Sequence, residues 1–315
     1  MTERVRPAGA PAWDVVGVGA NSVDLVHLLP AAPQPSGPHA KQRIHRQLVS
    51  CGGQMTTALA CVAGFGWRTK YIGATGDDER GGVLRAAMQD RRVDMSGALT
   101  RPGATNQFAV ILVDESTGER IVLWDRDDQL RLRDRELPVE ALTSTRVVHV
   151  DDVDDEAAIR AARIAREAGA IVTSDIDRVT PRIDDLIGSV THAIFAQHVL
   201  PQLTGVNDSE GALRKLRARH HHVLCVTLGE HGSMALDGDQ LHHEAAFKVH
   251  AVDTTGAGDV FRGGFLYALL HQQSTAEALR TANAAAAVSC TRLGALNGVP
   301  TLDEIRELMA AKLTR

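Results

Sequence analysis

A chain of 315 residues with 44% hydrophobic residues carries enough apolar material for one large α/β domain or two smaller ones. Its formal net charge of −5, with no long basic run, gives no electrostatic footprint for nucleic acid or a membrane surface, so the expected partner is a small molecule. Cys51, Cys61, Cys225 and Cys290 are scattered, form no C-x-x-C pair and read as reduced core thiols. Met1 to Ala12 holds Arg4, Arg6 and two prolines but no apolar signal-peptide core, and no apolar run is long enough to span a bilayer. The expectation is a frayed tail on a cytoplasmic protein.

The run Asp14 to Gly19 is short, apolar and ends in glycines, the pattern of a buried first strand in an α/β sheet. Gly17-x-Gly19-x-x-Ser22 imitates a dinucleotide fingerprint, but the third glycine is missing. Pro30, Pro33, Pro35 and Pro38 follow where a crossover helix would stand, so nicotinamide binding is not expected. Residues 39–49 suit an exposed strand. After it the pair Gly52-Gly53 lets backbone come close to a ligand before a helix from Gln54 to Ala63. Arg68 to Gly73 reads as the next strand, followed by a glycine-rich turn and a helix from Val83 to Asp90. Gln107 to Val113 and Glu119 to Trp124 alternate about a five-residue loop and form a hairpin. It ends in Asp125-Arg126-Asp127-Asp128, where Arg126 is either a fork for a substrate or half of a surface ion pair.

Val147 to Asp151 is another buried-looking strand. Ligands in α/β sheets collect beyond the carboxyl ends of strands, which makes Asp151 a substrate-contact candidate. Helix and strand then alternate: Glu156 to Ala168, Ala170 to Ser174, a helix around Ile183, Ala193 to Ala196, Asp208 to Arg219, Val223 to Leu228. Asn207 with Glu210, Ser274 with Glu277 and Thr301 with Glu304 read as capping boxes. The fold class is α/β, a mainly parallel sheet with helices on both faces. Thr227-Leu-Gly229-Glu-His-Gly232 lies between strands and reads on its own as a glycine hairpin. Asp253-Thr-Thr255-Gly256-Ala257-Gly258-Asp259 then opens a helix running to Leu270. The small residues Gly256, Ala257 and Gly258 can aim amides outward from the first helical turn, where the macrodipole also favours an anion. Asp259 stands where a hydroxyl would approach a phosphoryl group held there, placed to take its proton. An alanine-rich helix from Thr275 to Cys290 and a last helix from Leu302 to Leu313 complete the chain.

The full run D-T-T-G-A-G-D-x-F-x-x-G-F over residues 253–265 resembles the C-terminal signature of the ribokinase (PfkB) family of carbohydrate kinases. Softer likenesses extend from Gly19 to Pro300: Gly19 to Asp24, the Gly52-Gly53 pair with Thr57 four residues on, Thr227-x-Gly229-x-x-Gly232, and the loop from Thr291 to Pro300. The resemblance implies a ribokinase-like domain over 13–315 with a small β-sheet lid from about 25–50 and 105–125. It implies ATP-dependent phosphorylation of a sugar hydroxyl with magnesium, Asp259 as base and the Gly256–Asp259 amides as anion hole. Asp24, Gly52, Gly53, Thr57, Arg126 and Asp151 would face the sugar. Thr227, Gly229, Gly232, Gly256 and Gly258 would meet the nucleotide, with Asn283 near adenine. Backbone around Asp253, Thr255 and Ala295 would hold a monovalent cation such as potassium. Pairing of two lids would give a homodimer.

Two positions depart from the pattern. Thr57 replaces an asparagine, and Ala196 and Val199 replace the Asn-x-x-Glu that organises the magnesium shell just before Leu203-Thr204-Gly205. A nucleoside kinase is the nearest rival, although 3% aromatic residues offer few rings to stack on a base. A catalytically weak sugar or nucleotide sensor is the rival outside that class.

Overall fold

Val15, Val16 and Val18 of β1 (Trp13–Val18) are buried on both faces, as the centre of a parallel sheet requires. The computed structural model describes residues 11–311. Residues 1–10 of the expected tail and 312–313 of the expected last helix lie outside them. Further strands follow in chain order as β2 (Ser22–Leu29), β3 (Arg46–Gly52), β4 (Thr69–Gly76), β5 (Val93–Arg101), β6 (Phe108–Asp114) and β7 (Arg120–Asp125). The second half supplies β8 (Thr145–Asp151), β9 (Ile171–Ile176), β10 (His192–Ala196), β11 (Val223–Thr227), β12 (Ser233–Asp237) and β13 (Gln240–Glu244).

Nine of these form one sheet in the order β13-β12-β11-β10-β9-β8-β1-β4-β5. It is parallel from β11 to β5, with β12 and β13 added antiparallel at one edge. Successive residues of β1 serve opposite layers. Val15 joins Met55, Leu59 and Leu266 on one face, while Val16 joins Val148, Ala161 and Leu186 on the other. Strand order reverses between β1 and β8, the switch point at which open α/β sheets leave a crevice beyond the strand ends. No helix among the described residues is long and apolar enough to cross a membrane.

The other four strands make a separate sheet, β3-β2-β6-β7, in which β2 and β6 run parallel. Its inner face packs Val26, Ala109, Ile111 and Val113 with Leu293. A fully bonded network ties its root to the large sheet. Asn106 Nδ2 donates to Asn21 Oδ1 (3.0 Å), Asn21 Nδ2 donates to Tyr71 Oη (2.8 Å), and Tyr71 Oη donates to Gly19 O (2.8 Å).

Two expected helix starts move. The second helix begins at Glu79 rather than Val83, because Asp78 caps it by accepting from Gly81 N (3.0 Å). The helix Ser209–Arg217 is capped by Asp208 onto Gly211 N (2.7 Å), not by Asn207 with Glu210. The boxes at Ser274 and Thr301 form as expected.

Candidate active site

The carboxyl ends of β9, β10 and β11, the inner face of the lid and the N-terminus of the helix Ala257–Leu270 enclose a cleft of about 1760 Å³. That exceeds what a single small ligand fills and suits two substrates side by side.

At its centre the chain turns through Gly256, whose φ of 75° is left-handed, into the first helical turn. Asp253 builds this turn. Its Oδ1 accepts from Thr255 N and its Oδ2 from Gly294 N, both at 2.8 Å, while Val252 N and Asp253 N donate to Cys290 O. Ala257 N turns back to Thr254 O (3.2 Å), which leaves the amides of Gly258 and Asp259 without an acceptor among the described residues. The amide of Gly256 also has no acceptor among the described residues, so three of the four amides between Gly256 and Asp259 are unpaired. The lid reaches the same turn: Gly118 O accepts from Thr254 N and Oγ1, and Arg120 Nη1 donates to Thr254 Oγ1 (2.9 Å).

Asp259 is partly open to the cleft. Burial lifts its carboxyl to about 7; Arg262 and Arg120 oppose the rise, and Asp177 and Asp24 add to it. Asp24 stands across the cleft on β2. Burial raises it to about 6 against a 2.6 Å hydrogen bond donated by Ser22 Oγ. A Cβ on Gly52 would lie 2.1 Å from Asp24 Oδ2, so glycine there makes room for this carboxylate. On the sugar-facing role that the resemblance implies for Asp24, Gly52→Ala is expected to push it aside and raise KM for the sugar about tenfold or more, with KM for the nucleotide unchanged, as initial rates against each substrate would report.

The other sequence candidates separate into those that face the cleft and those beneath it. Gly53 lines it with φ 95°, and it is glycine because a Cβ there would lie 2.5 Å from Asn21 Cα. Thr227, Gly229 and Gly232 line the end of the cleft beyond β11, where Gly232 is glycine because a Cβ would sit 2.0 Å from Glu244 O. Asn283 faces the same end and donates to Glu244 O (2.8 Å).

Asp151 does not face the cleft. The β1–β2 turn lies over it, its Oδ2 accepts from Ala20 N (2.6 Å), and its Oδ1 accepts from Val153 N (3.1 Å). It fixes that turn, and the acid that reaches the cleft is its neighbour Asp152. Thr57 is fully buried under the Gly256 turn, with Oγ1 unpartnered among the described residues. Arg126 lines the cleft, but its fork is spent on Asp154 (2.7 and 3.2 Å) and on Leu130 O (3.0 Å). Ala295 packs against Gly256, and Thr255 Oγ1 is buried without a partner beside Asp253, so the residues named for a monovalent cation do converge.

Magnesium fares differently. Val199 is buried in the main core and Ala196 offers the cleft only a methyl group. Of the acids nearby, Asp152 pairs with Arg178 (3.3 Å) and Asp175 with Arg262 (2.6 Å). No group of three His, Cys, Asp or Glu converges among the described residues. The side chains present therefore do not form the shell that the resemblance implied.

Sequence reasoning missed Asp152, Asp175, Asp177, Arg178 and Arg262, all of which line the cleft. Asp175 stands opposite Asp151 in the β8–β9 register, so the same strand-end rule would have found it. Arg262 has only helical spacing from Asp259 to announce it.

A parallel sheet with its crevice at the switch point, an amide cradle and a carboxylate beside it define a phosphotransferase that acts on a small hydroxyl compound. The pfkB family carbohydrate kinase model matches residues 15–302. Fructokinase-1 of rice (Oryza sativa subsp. japonica) is 30% identical over 284 residues, covering 82% of this chain and 88% of that protein. The aminoimidazole riboside kinase of Salmonella typhimurium is 30% identical over 282 residues with the same coverage. A crystal structure of an Agrobacterium tumefaciens protein provisionally named a ribokinase superposes with a TM-score of 0.89 at 30% identity, over 98% of this chain and 100% of that one. The Arabidopsis thaliana ribokinase solved with ribose and ATP shares the fold, with a TM-score of 0.80 at 23% identity over 95% of this chain and 99% of its own. The chain belongs to the pfkB family of carbohydrate kinases. It has the ribokinase-like α/β fold and is a sugar kinase, a phosphotransferase with an alcohol acceptor.

Proposed function

We propose that the chain transfers the γ-phosphoryl group of ATP to a hydroxyl of a small sugar, a ketohexose such as fructose being the first candidate. The observation that carries this reading is Asp259, raised by burial and open to the cleft, beside the unpaired amides of Gly256, Gly258 and Asp259 at the helix N-terminus. The sugar lies between Asp24 and the inner lid face, and ATP lies along Thr227, Gly229 and Asn283. As the hydroxyl oxygen bonds to the γ-phosphorus, its proton passes to Asp259. The bond from that phosphorus to the β–γ bridging oxygen breaks, and its electron pair leaves on ADP. The amides of Gly258 and Asp259 face the charge that builds up on the phosphoryl oxygens. The lid hairpin, bonded to Thr254, keeps out the water that would otherwise compete as acceptor.

ADP formation with MgATP across ketoses, pentoses, sugar acids and nucleosides tests the proposal. Turnover with one sugar well above the hydrolysis background supports it. A chain that binds ATP and turns over none of them is the sensor and not this kinase. A riboside acceptor is the second reading. It is favoured by Trp124, 59% exposed on the lid strand and lining the cleft, where an indole can stack on a base.

The homodimer belongs to the same proposal. On the outer lid face, register aligns Val49, Leu25, Val110 and Leu123 in one row across all four strands, and Val49 and Leu123 are 60% and 56% exposed. A second lid would bury this row. Leu123→Lys is expected to shift the chain from dimer to monomer in sedimentation velocity, and a wild-type chain that sediments as a monomer at every concentration would remove the proposal.

A further inference from the structure

Arg262 is the cleft residue whose chemistry the mechanism above leaves unused. It lies one turn beyond Asp259, so Gly258, Asp259 and Arg262 share one face of their helix. Its side chain is 3% exposed, and Nη2 is 2.6 Å from Asp175 Oδ1, on a side chain that is itself 2% exposed. Both residues line the cleft. The guanidinium runs against the anion turn, since a Cβ on Gly258 would lie 2.9 Å from Arg262 Nη1. Gly258 is therefore bare on the side where Arg262 passes.

The ion contact is close, yet it does not satisfy the fork. Nε and Nη2 of Arg262, and Oδ2 of Asp175, are buried without a hydrogen-bond partner among the described residues. A guanidinium does not shed its proton to escape burial, and stranded donors on a buried cation are costly. Burial pushes the Asp175 carboxyl well above the usual carboxylate range while Arg262 opposes the rise, Asp259 and Asp177 stand nearby, and none of the three closes the fork. Unspent planar donors beside three unpaired helix-terminal amides match an anion with several oxygens, and the phosphoryl group is the anion this cleft exists to move.

We infer that Arg262 is a catalytic residue, held by Asp175 as a positioning residue, whose free N–H groups bond the oxygens of the phosphoryl group in transit. This rests on the kinase reading above. Proton balance is unchanged: Asp259 takes the hydroxyl proton, ADP takes the bridging electron pair, and Arg262 stays protonated throughout. The arginine adds a fixed positive charge in a cleft where Ala196 and Val199 bring no polar side chain to organise a metal.

The test removes the pair as neutral isosteres, Asp175→Asn with Arg262→Gln, so that no lone ion is left buried. With the best sugar from the panel, the double variant is expected to keep ATP and sugar Kd within about threefold and to lose about 10²–10³-fold in kcat. Arg262→Lys, which keeps charge without the fork, is expected to fall between it and the wild type. A double variant with kcat within about threefold of wild type overturns the inference, because the pair would then be structural only. Should the double variant fail to fold, the wild-type chain crystallised with ADP, aluminium fluoride and that sugar decides. A guanidinium within hydrogen-bond distance of fluoride supports the role, and one that touches only Asp175 refutes it. A wild-type chain inactive on every sugar would sink the kinase reading and this inference with it.

Discussion

Asp259→Asn is expected to lower kcat by about 10²–10⁴-fold while ATP and sugar Kd stay near wild type. Asparagine keeps the size and hydrogen-bonding reach of the carboxylate and cannot take the hydroxyl proton. Because burial lifts Asp259 to about 7, wild-type kcat/KM is expected to climb with pH up to a plateau above about 7 as the base loses its proton. Asp24, raised to about 6, adds a second loss on the acid side. The variant's small residual rate should lose the step near 7.

The same shift fixes the sign of a stability effect. Asp259 binds its proton more tightly folded than unfolded, so its contribution to stability is full below about 4 and is lost as pH rises through about 7. The Asn variant does not carry that loss. Thermal melts should therefore show it gaining on the wild type between pH 5 and pH 8.

Gly256→Ala is expected to be nearly as damaging by a different route. A left-handed φ of 75° costs an alanine about 1–2 kcal/mol. Its Cβ would also lie 2.6 Å from Ala295 Cβ and 3.0 Å from Ala295 Cα, and the latter is backbone that cannot swing aside. The turn must shift, and the amides of Gly258 and Asp259 shift with it. A loss of about 10²–10³-fold in kcat is expected, with the far-ultraviolet circular dichroism unchanged. Gly103→Ala is the control: its φ of 76° is also left-handed, but a Cβ there meets nothing within 4 Å and the residue does not line the cleft, so a mild effect is expected.

Much of this was legible in the sequence because it rests on short-range chemistry. The strand-and-helix alternation from Val147 to Leu228 is written in apolar runs that parallel strands demand, and the Asp253–Asp259 turn in the glycine that a left-handed φ at 256 requires. What could not be read depends on long-range pairing. Asp151 looked available until the β1–β2 turn, more than a hundred residues earlier, proved to sit on it. Arg126 read equally as a substrate fork or as half of an ion pair until Asp154 claimed its fork. β5 went unseen because Ser96 and Gly97 break its apolar pattern, and only pairing with β4 makes it a strand. Arg262 was hidden for the same reason, since its partner Asp175 is on β9.

A rapid-quench single turnover tests the central claim most directly, with wild type and Asp259→Asn each saturated with MgATP and the best sugar of the panel. Proton abstraction by Asp259 predicts a chemical step slowed by about 10²–10⁴-fold in the variant, with bound ATP and sugar at wild-type occupancy. A chemical step within tenfold of wild type would contradict it and move the base elsewhere in the cleft.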